Sequence, residues 1–175
     1  MSHVVLIQGS LNKESRTAVL VQHTKEELQR AGVEASVLDL RNIQMEFCDG
    51  RPLKKYHPEV QQAHQAMEQA DAFVIGMPVY CYSVSGPLKN FIDITSGAME
   101  KKMAGILCNA GGNRSYMASA DLSNILAYES HVTTIQPIVY SSHEDYDDQT
   151  LTGNKVKSKI REMVDHLARH LKNHP

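Results

Sequence analysis

The sequence predicts an α/β chain folded as a doubly wound three-layer sandwich around a five-stranded parallel sheet in the order 2-1-3-4-5. Three observations predict it. Five short apolar runs alternate with five amphipathic stretches, the pattern of a parallel sheet covered on both faces. Right-handed crossovers make the doubly wound arrangement the economical one. The segments after runs one, three and four are the unusual ones of the chain. In such a sheet these are the loops at the strand carboxyl ends that meet at the topological switch point.

The elements follow in order. Val4-Val5-Leu6-Ile7 is a compact β-branched run and reads as a buried first strand. Residues 15 to 31 place Ala18, Val21, Leu28 and Ala31 on one helical face, and Gly32 is a natural stop. Ala35 to Leu40 reads as the second strand. Residues 41 to 57 are irregular, with Asp49-Gly50 and Pro52 as turn signals. Pro58 opens a helix carrying Val60, Ala63, Met67 and Ala70. The third strand runs from Ala72 to Met77 and is expected to end at Pro78. Residues 79 to 85 read as a loop and 86 to 97 as a helix. Met103 to Cys108 is the fourth strand, 116 to 130 a helix, and Thr133 to Val139 the fifth strand. Val156, Ile160, Met163, Leu167 and Leu171 share one face of a closing helix.

The chain has 175 residues, the length of one ordinary domain with a core that needs no disulfide or metal staple. Lys plus Arg is 18 and Asp plus Glu is 20, a balance with no footprint for nucleic acid or an anionic membrane. No apolar run approaches a membrane span and the N-terminus has no signal-peptide pattern. Cys48, Cys81 and Cys108 are odd in number and form no CxxC or Cys/His pattern. They read as reduced thiols of a cytoplasmic protein, with no zinc site.

The first unusual loop is Gly9-Ser10-Leu11-Asn12-Lys13-Glu14-Ser15-Arg16-Thr17. It follows a strand and opens a helix, so free N–H groups point outward and favour an anion. Ser10, Asn12, Ser15 and Thr17 add short donors and Arg16 a permanent charge, which suits a phosphate monoester. The loop is neither a Walker A nor a G-x-G-x-x-G motif, and Ser15 also reads simply as a helix N-cap. The second loop, Met77 to Asn90, presents Tyr80, Cys81 and Tyr82 just beyond a strand. It makes a wall for a flat heteroaromatic ring, or else its tyrosines pack beneath it. The third is Asn109-Ala110-Gly111-Gly112-Asn113-Arg114-Ser115-Tyr116. Paired glycines permit φ > 0 and close backbone approach to a ligand, or form an ordinary tight turn.

Together the blocks GSLNKESRT, PVYCYSVSGPLKNFID and NAGG resemble the NADPH-dependent FMN reductase family of the flavodoxin-like superfamily. The match covers most of the chain in the same order and spacing, and the middle block is the most specific. The resemblance implies one flavodoxin-like FMN-binding domain over residues 1–175, two-electron reduction by NADPH or NADH, and a homodimer or homotetramer. It places Ser10, Asn12, Ser15, Arg16 and Thr17 on the phosphate loop. Pro78, Val79, Tyr80, Cys81 and Ser83 fall beside the isoalloxazine, and Ala110, Gly111 and Gly112 at its far edge. Val79 and Cys81 stand where many members have Glu and Asn, and Ser85-Gly86 where they often have Pro-Gly. That variant looks more like the flavin reductases that feed two-component monooxygenases. The acceptor is then a flavin, or a quinone or azo compound reduced on the same scaffold.

The flavin carries such chemistry, so no side chain is assigned as catalytic acid or base. An electron carrier without NAD(P)H turnover is a further alternative, weighed against by the near-neutral charge. A flavin-free interaction domain is another. Phe91, Ile92 and Ile94 read equally as an oligomer interface or as helix core, and Glu144-Asp145-Tyr146-Asp147-Asp148 as a solvated loop.

Overall fold

The structure is a computed structural model and describes residues 2–173. The chain runs β1 (His3–Gln8), α1 (Arg16–Arg30), β2 (Glu34–Asp39), α2 (Pro58–Glu68), β3 (Ala72–Tyr80), β4 (Ser83–Val84) and α3 (Gly86–Thr95). It continues through β5 (Met103–Asn109), α4 (Ala118–Ser130), β6 (Thr133–Ser141), β7 (Tyr146–Asp147), β8 (Thr150–Leu151) and α5 (Asn154–Asn173). The five long strands are parallel in the order β2-β1-β3-β5-β6. That is the expected 2-1-3-4-5, because the extra strand β4 only forms a hairpin with the end of β3.

Side chains alternate across the sheet, and both faces are apolar because both are covered. In β1, Val4 and Leu6 face the layer of α1 and α5, packing with Leu20, Val21, Ile160 and Leu167. Val5 and Ile7 face the opposite layer, packing with Met67, Leu88, Phe91 and Leu122. The buried stripe of α1 is Thr17, Leu20, Val21, Thr24 and Leu28. Ala18 and Ala31, expected on that stripe, sit at its edge. Gly32 ends α1 with φ +78, its N–H donating to the Gln29 carbonyl, a left-handed stop that suits glycine.

Three expectations change. Pro78 does not end β3: the strand runs to Tyr80, with Pro78 paired opposite Asn109 of β5. On its other side β1 has already stopped at Gln8, opposite Gly76, so a missing N–H there costs no β1 ladder bond. Residues 79 to 85 are a β3–β4 hairpin, whose turn residues Cys81 and Tyr82 both have positive φ, 50 and 61. That is the backbone of a tight two-residue turn matched to strand twist. The acidic run keeps Glu144, Asp147 and Asp148 exposed but is not an irregular loop: it folds into a short helical turn and a β7–β8 hairpin, with Tyr146 only 8% exposed.

Phe91 and Ile92 are buried in the core, and Ile94 is half-buried. Among the described residues, no helix is long and apolar enough to cross a membrane.

Candidate functional site

The three unusual loops converge on one cleft of about 400 Å³ beyond the carboxyl ends of β1, β3 and β5. Its volume lies within the range of small-molecule sites, about 300–1,000 Å³. Ser10, Asn12, Ser15, Arg16, Thr17, Pro78, Val79, Tyr80, Ala110 and Gly111 all line it. Cys81, Ser83 and Gly112 do not. Cys81 lies at the exposed hairpin turn, the Ser83 hydroxyl donates to Asp121 at 2.6 Å, and the Gly112 carbonyl accepts from the Tyr140 hydroxyl.

The first loop is built before it meets any ligand. Gln8, buried at the end of β1, donates through Nε2 to the Ser10 carbonyl at 2.8 Å and accepts the Ser10 N–H at 2.7 Å. Ser10 Oγ accepts from the Asn12 N–H at 3.3 Å, and Asn12 Oδ1 accepts from the Glu14 N–H at 3.0 Å. Ser15 is the N-cap of α1, its hydroxyl accepting from the Ala18 N–H at 3.1 Å. The N-cap reading of Ser15 and the anion-loop reading are thus compatible. The N–H groups of Arg16 and Thr17 have no acceptor among the described residues, the arrangement that makes a helix N-terminus receptive to an anion.

Arg16 is held in place by the 146–151 hairpin. Its guanidinium lies over the Tyr146 ring, 5.4 Å from the centroid, a cation–π distance. The Tyr146 hydroxyl lies 3.0 Å from Ser141 Oγ and 3.3 Å from Asn109 Nδ2. Burial pushes the Tyr146 phenol up to about 12, so it stays protonated and available as a donor at neutral pH.

The second loop is tied to the first by Ser85, whose hydroxyl donates to the Gly9 carbonyl at 3.3 Å. Tyr80 and Tyr82 are 52% and 66% exposed, so they do not pack beneath the loop. The third loop is pinned from behind. The Gly111 carbonyl accepts from the His143 ring at 2.6 Å, and Asn113 Nδ2 donates to Glu144 at 3.0 Å. Neither Gly111 nor Gly112 adopts a positive φ, contrary to expectation. A Cβ added at either would meet no atom within 4 Å. What these glycines give is open backbone, not a special dihedral.

Sequence reasoning missed four lining residues: Glu14, Asn109, Asp148 and Gln149. The last two stand at the tip of the β7–β8 hairpin. The signal pointing to them was a lone aromatic, Tyr146, inside an acidic run.

The chemistry of the donor set fits FMN. The first loop offers free N–H groups and Arg16 for a phosphate, and the other two loops bring Pro78, Val79, Tyr80, Ala110 and Gly111 to the same cleft. Comparison with known proteins agrees. The profile of the family described as NADPH-dependent FMN reductase matches residues 2–147. The chain is 29% identical over 157 residues to an NAD(P)H-dependent FAD/FMN reductase of Geobacillus thermodenitrificans, covering 88% of this chain and 83% of that one. It is 28% identical over 183 aligned positions to an FMN-dependent NADPH-azoreductase of Staphylococcus saprophyticus, covering 98% and 96%. The solved structure of the flavoenzyme NAD(P)H:(acceptor) oxidoreductase of Paracoccus denitrificans superimposes with a TM-score of 0.80 at 21% identity, covering 99% of each chain.

Proposed function

The chain belongs to the NADPH-dependent FMN reductase family, and on that premise we propose that its cleft binds one FMN and serves as an NAD(P)H-dependent reductase site. When bound, FMN supplies two-electron redox chemistry between NAD(P)H and an acceptor. The observation that carries the reading is the convergence of three loops, separated in sequence, on one cleft with an anion-receptive helix N-terminus.

The chain's own residues do the following work. The Arg16 and Thr17 N–H groups, the Arg16 guanidinium and the hydroxyls of Ser10, Ser15 and Thr17 hold the phosphate, with Asn12 at its side. Pro78, Val79 and Tyr80 form one wall for the ring, with Cys81 and Ser83 setting the hairpin behind them. Ala110 and Gly111 bring backbone to the other edge, with Gly112 just behind them, its carbonyl held by Tyr140. The Ala110 N–H is engaged by the Ser141 carbonyl, so the Gly111 N–H is the group that would favour negative charge on a reduced ring, a preorganised-dipole effect. No side chain in the cleft is assigned a proton-transfer role.

The acceptor is a small molecule. A free flavin is the first reading; a flat quinone or azo compound is the second, favoured by the exposed rings of Tyr80 and Tyr82. The whole chain, 1–175, acts as one FMN-binding domain. Its unpaired cysteines suit the reducing cytoplasm. Self-association into a homodimer or homotetramer would use the groove between α3 and α4. Ile125 and Tyr128 line this groove, and Tyr128 is 85% exposed. Phe47, 87% exposed, adjoins it through Cys48, whose N–H donates to Asn90 of α3.

The test is a visible absorption spectrum of the protein with FMN, before and after NADPH without oxygen. A perturbed flavin band that NADPH bleaches is the expected result. A bound flavin that neither NADPH nor NADH bleaches would reduce the protein to an electron carrier. No bound flavin would remove the assignment.

A further inference from the structure

Two arginines stand beside the first loop, and the fold places them in opposite ways. Arg41 is held by a carboxylate. Asp39 accepts from its Nε at 3.0 Å and its Nη2 at 2.5 Å, and the Lys13 carbonyl accepts from Nη1 at 3.2 Å. Its charge is balanced and its donors are largely spent. Arg16 lines the cleft, and among the described residues it forms no ion pair. Glu14 and Asp148 line the same cleft without pairing with it.

What holds Arg16 is the face of Tyr146, 5.4 Å from guanidinium carbon to ring centroid. An aromatic face attracts the cation through its quadrupole. It offers no lone pair to the five N–H donors of the guanidinium, so these stay unspent. A carboxylate in its place would occupy them and cancel the charge, as Asp39 does for Arg41. The ring is itself fixed. Tyr146 is 8% exposed, and its hydroxyl lies 3.0 Å from Ser141 Oγ. It accepts from Asn109 Nδ2 at 3.3 Å and donates to the Arg16 carbonyl at 3.4 Å. Tyr146 does not line the cleft, so whatever it does to a ligand travels through its neighbours.

We propose that Tyr146 is a positioning residue that sets the preference of the site for phosphorylated over unphosphorylated flavin, by presenting Arg16 to the phosphate with its charge and donors free. This rests on the FMN reading of the cleft. An arginine side chain with no fixed contact gives up its rotamer freedom when the phosphate arrives; one already laid on a buried ring has given up most of it beforehand. The gain falls on the phosphate alone, because Arg16 opens α1 at the end of the first loop and the ring is walled by the other two loops.

The experiment titrates FMN and riboflavin against the intact protein by flavin fluorescence, in wild type, Tyr146→Leu and Tyr146→Phe, with thermal melts to check that each variant folds. Tyr146→Leu should raise the FMN dissociation constant about three- to tenfold, the scale of a partly buried cation–π contact, and leave that of riboflavin within about twofold. Tyr146→Phe keeps the ring face and should keep the wild-type preference for FMN to within about twofold. In an Arg16→Ala background, Tyr146→Leu should cost FMN nothing further, because the two act as one unit. If Tyr146→Leu does not fold, pentafluorophenylalanine at position 146 keeps the ring's shape, reverses the charge of its face, and should show the same selective loss of FMN. An equal loss for FMN and riboflavin, the signature of plain structural support, overturns the proposal. So does an unchanged FMN affinity, an undiminished loss in the Arg16→Ala background, or a wild type that binds both flavins equally. All four leave the FMN reading standing. Wild-type protein that binds neither flavin removes both readings together.

Discussion

Gln8 grips Ser10 by both of its backbone groups, accepting its N–H at 2.7 Å and donating to its carbonyl at 2.8 Å. The same Nε2 also donates to Asp39 at 3.0 Å, and Asp39 in turn holds Arg41. Burial raises the Asp39 carboxyl, but the Arg41 and Gln8 hydrogen bonds outweigh it and hold it below its ordinary value. The anion loop is therefore shaped by strand ends as well as by its own side chains.

Replacing Gln8 by Leu keeps the volume and leaves buried backbone groups of Ser10 unpaired. The expected cost is about 1–3 kcal/mol of stability, read by urea denaturation. FMN affinity should fall at the same time. Unchanged stability would mean that the loop is held by Ser85 and α1 alone.

Arg16→Ala should weaken FMN binding about ten- to a hundredfold, from a charged hydrogen bond of about 1.5–3 kcal/mol. Riboflavin lacks the phosphate, so its affinity should not change. An equal loss for both ligands would show that Arg16 matters only through its packing on Tyr146.

Asp148 puts a carboxylate at the anion-receptive cleft. Asp148→Asn should tighten FMN about two- to fivefold, the scale of one exposed charge interaction, and slow its release. The gain should shrink in high salt. A loss of affinity would instead make Asp148 a hydrogen-bonding partner of the ligand.

The three thiols should react differently. Burial pushes Cys108 up to about 12, so it stays a neutral thiol until far above physiological pH. Cys48 and Cys81 are exposed. At pH 8 a chromogenic disulfide reagent should titrate two thiols in the native protein and the third only after unfolding. FMN should slow the reaction of Cys81 if the hairpin closes on the ring; equal rates with and without FMN would remove Cys81 from the site.

Much of the fold was legible because burial on both faces leaves continuous apolar runs such as Val4 to Ile7, and Gly32 announces a helix end. Pro78 misled because a local rule about missing N–H groups ignores that β1 has already stopped beside it. The acidic run misled because Tyr146 is buried by Arg16, Asn109 and Ser141, which lie 5 to 130 positions away. No window of sequence contains that neighbourhood.

By itself the sequence determined the layers, the strand order and the three loops that meet, because periodicity and turn chemistry are local. Only the tertiary structure decided what else reaches those loops. It brought Gln8 under Ser10, set Asp148 and Gln149 over the cleft, and laid Arg16 on the Tyr146 ring. These are long-range packing and charge relationships, and they exist only once the helices have closed on the sheet.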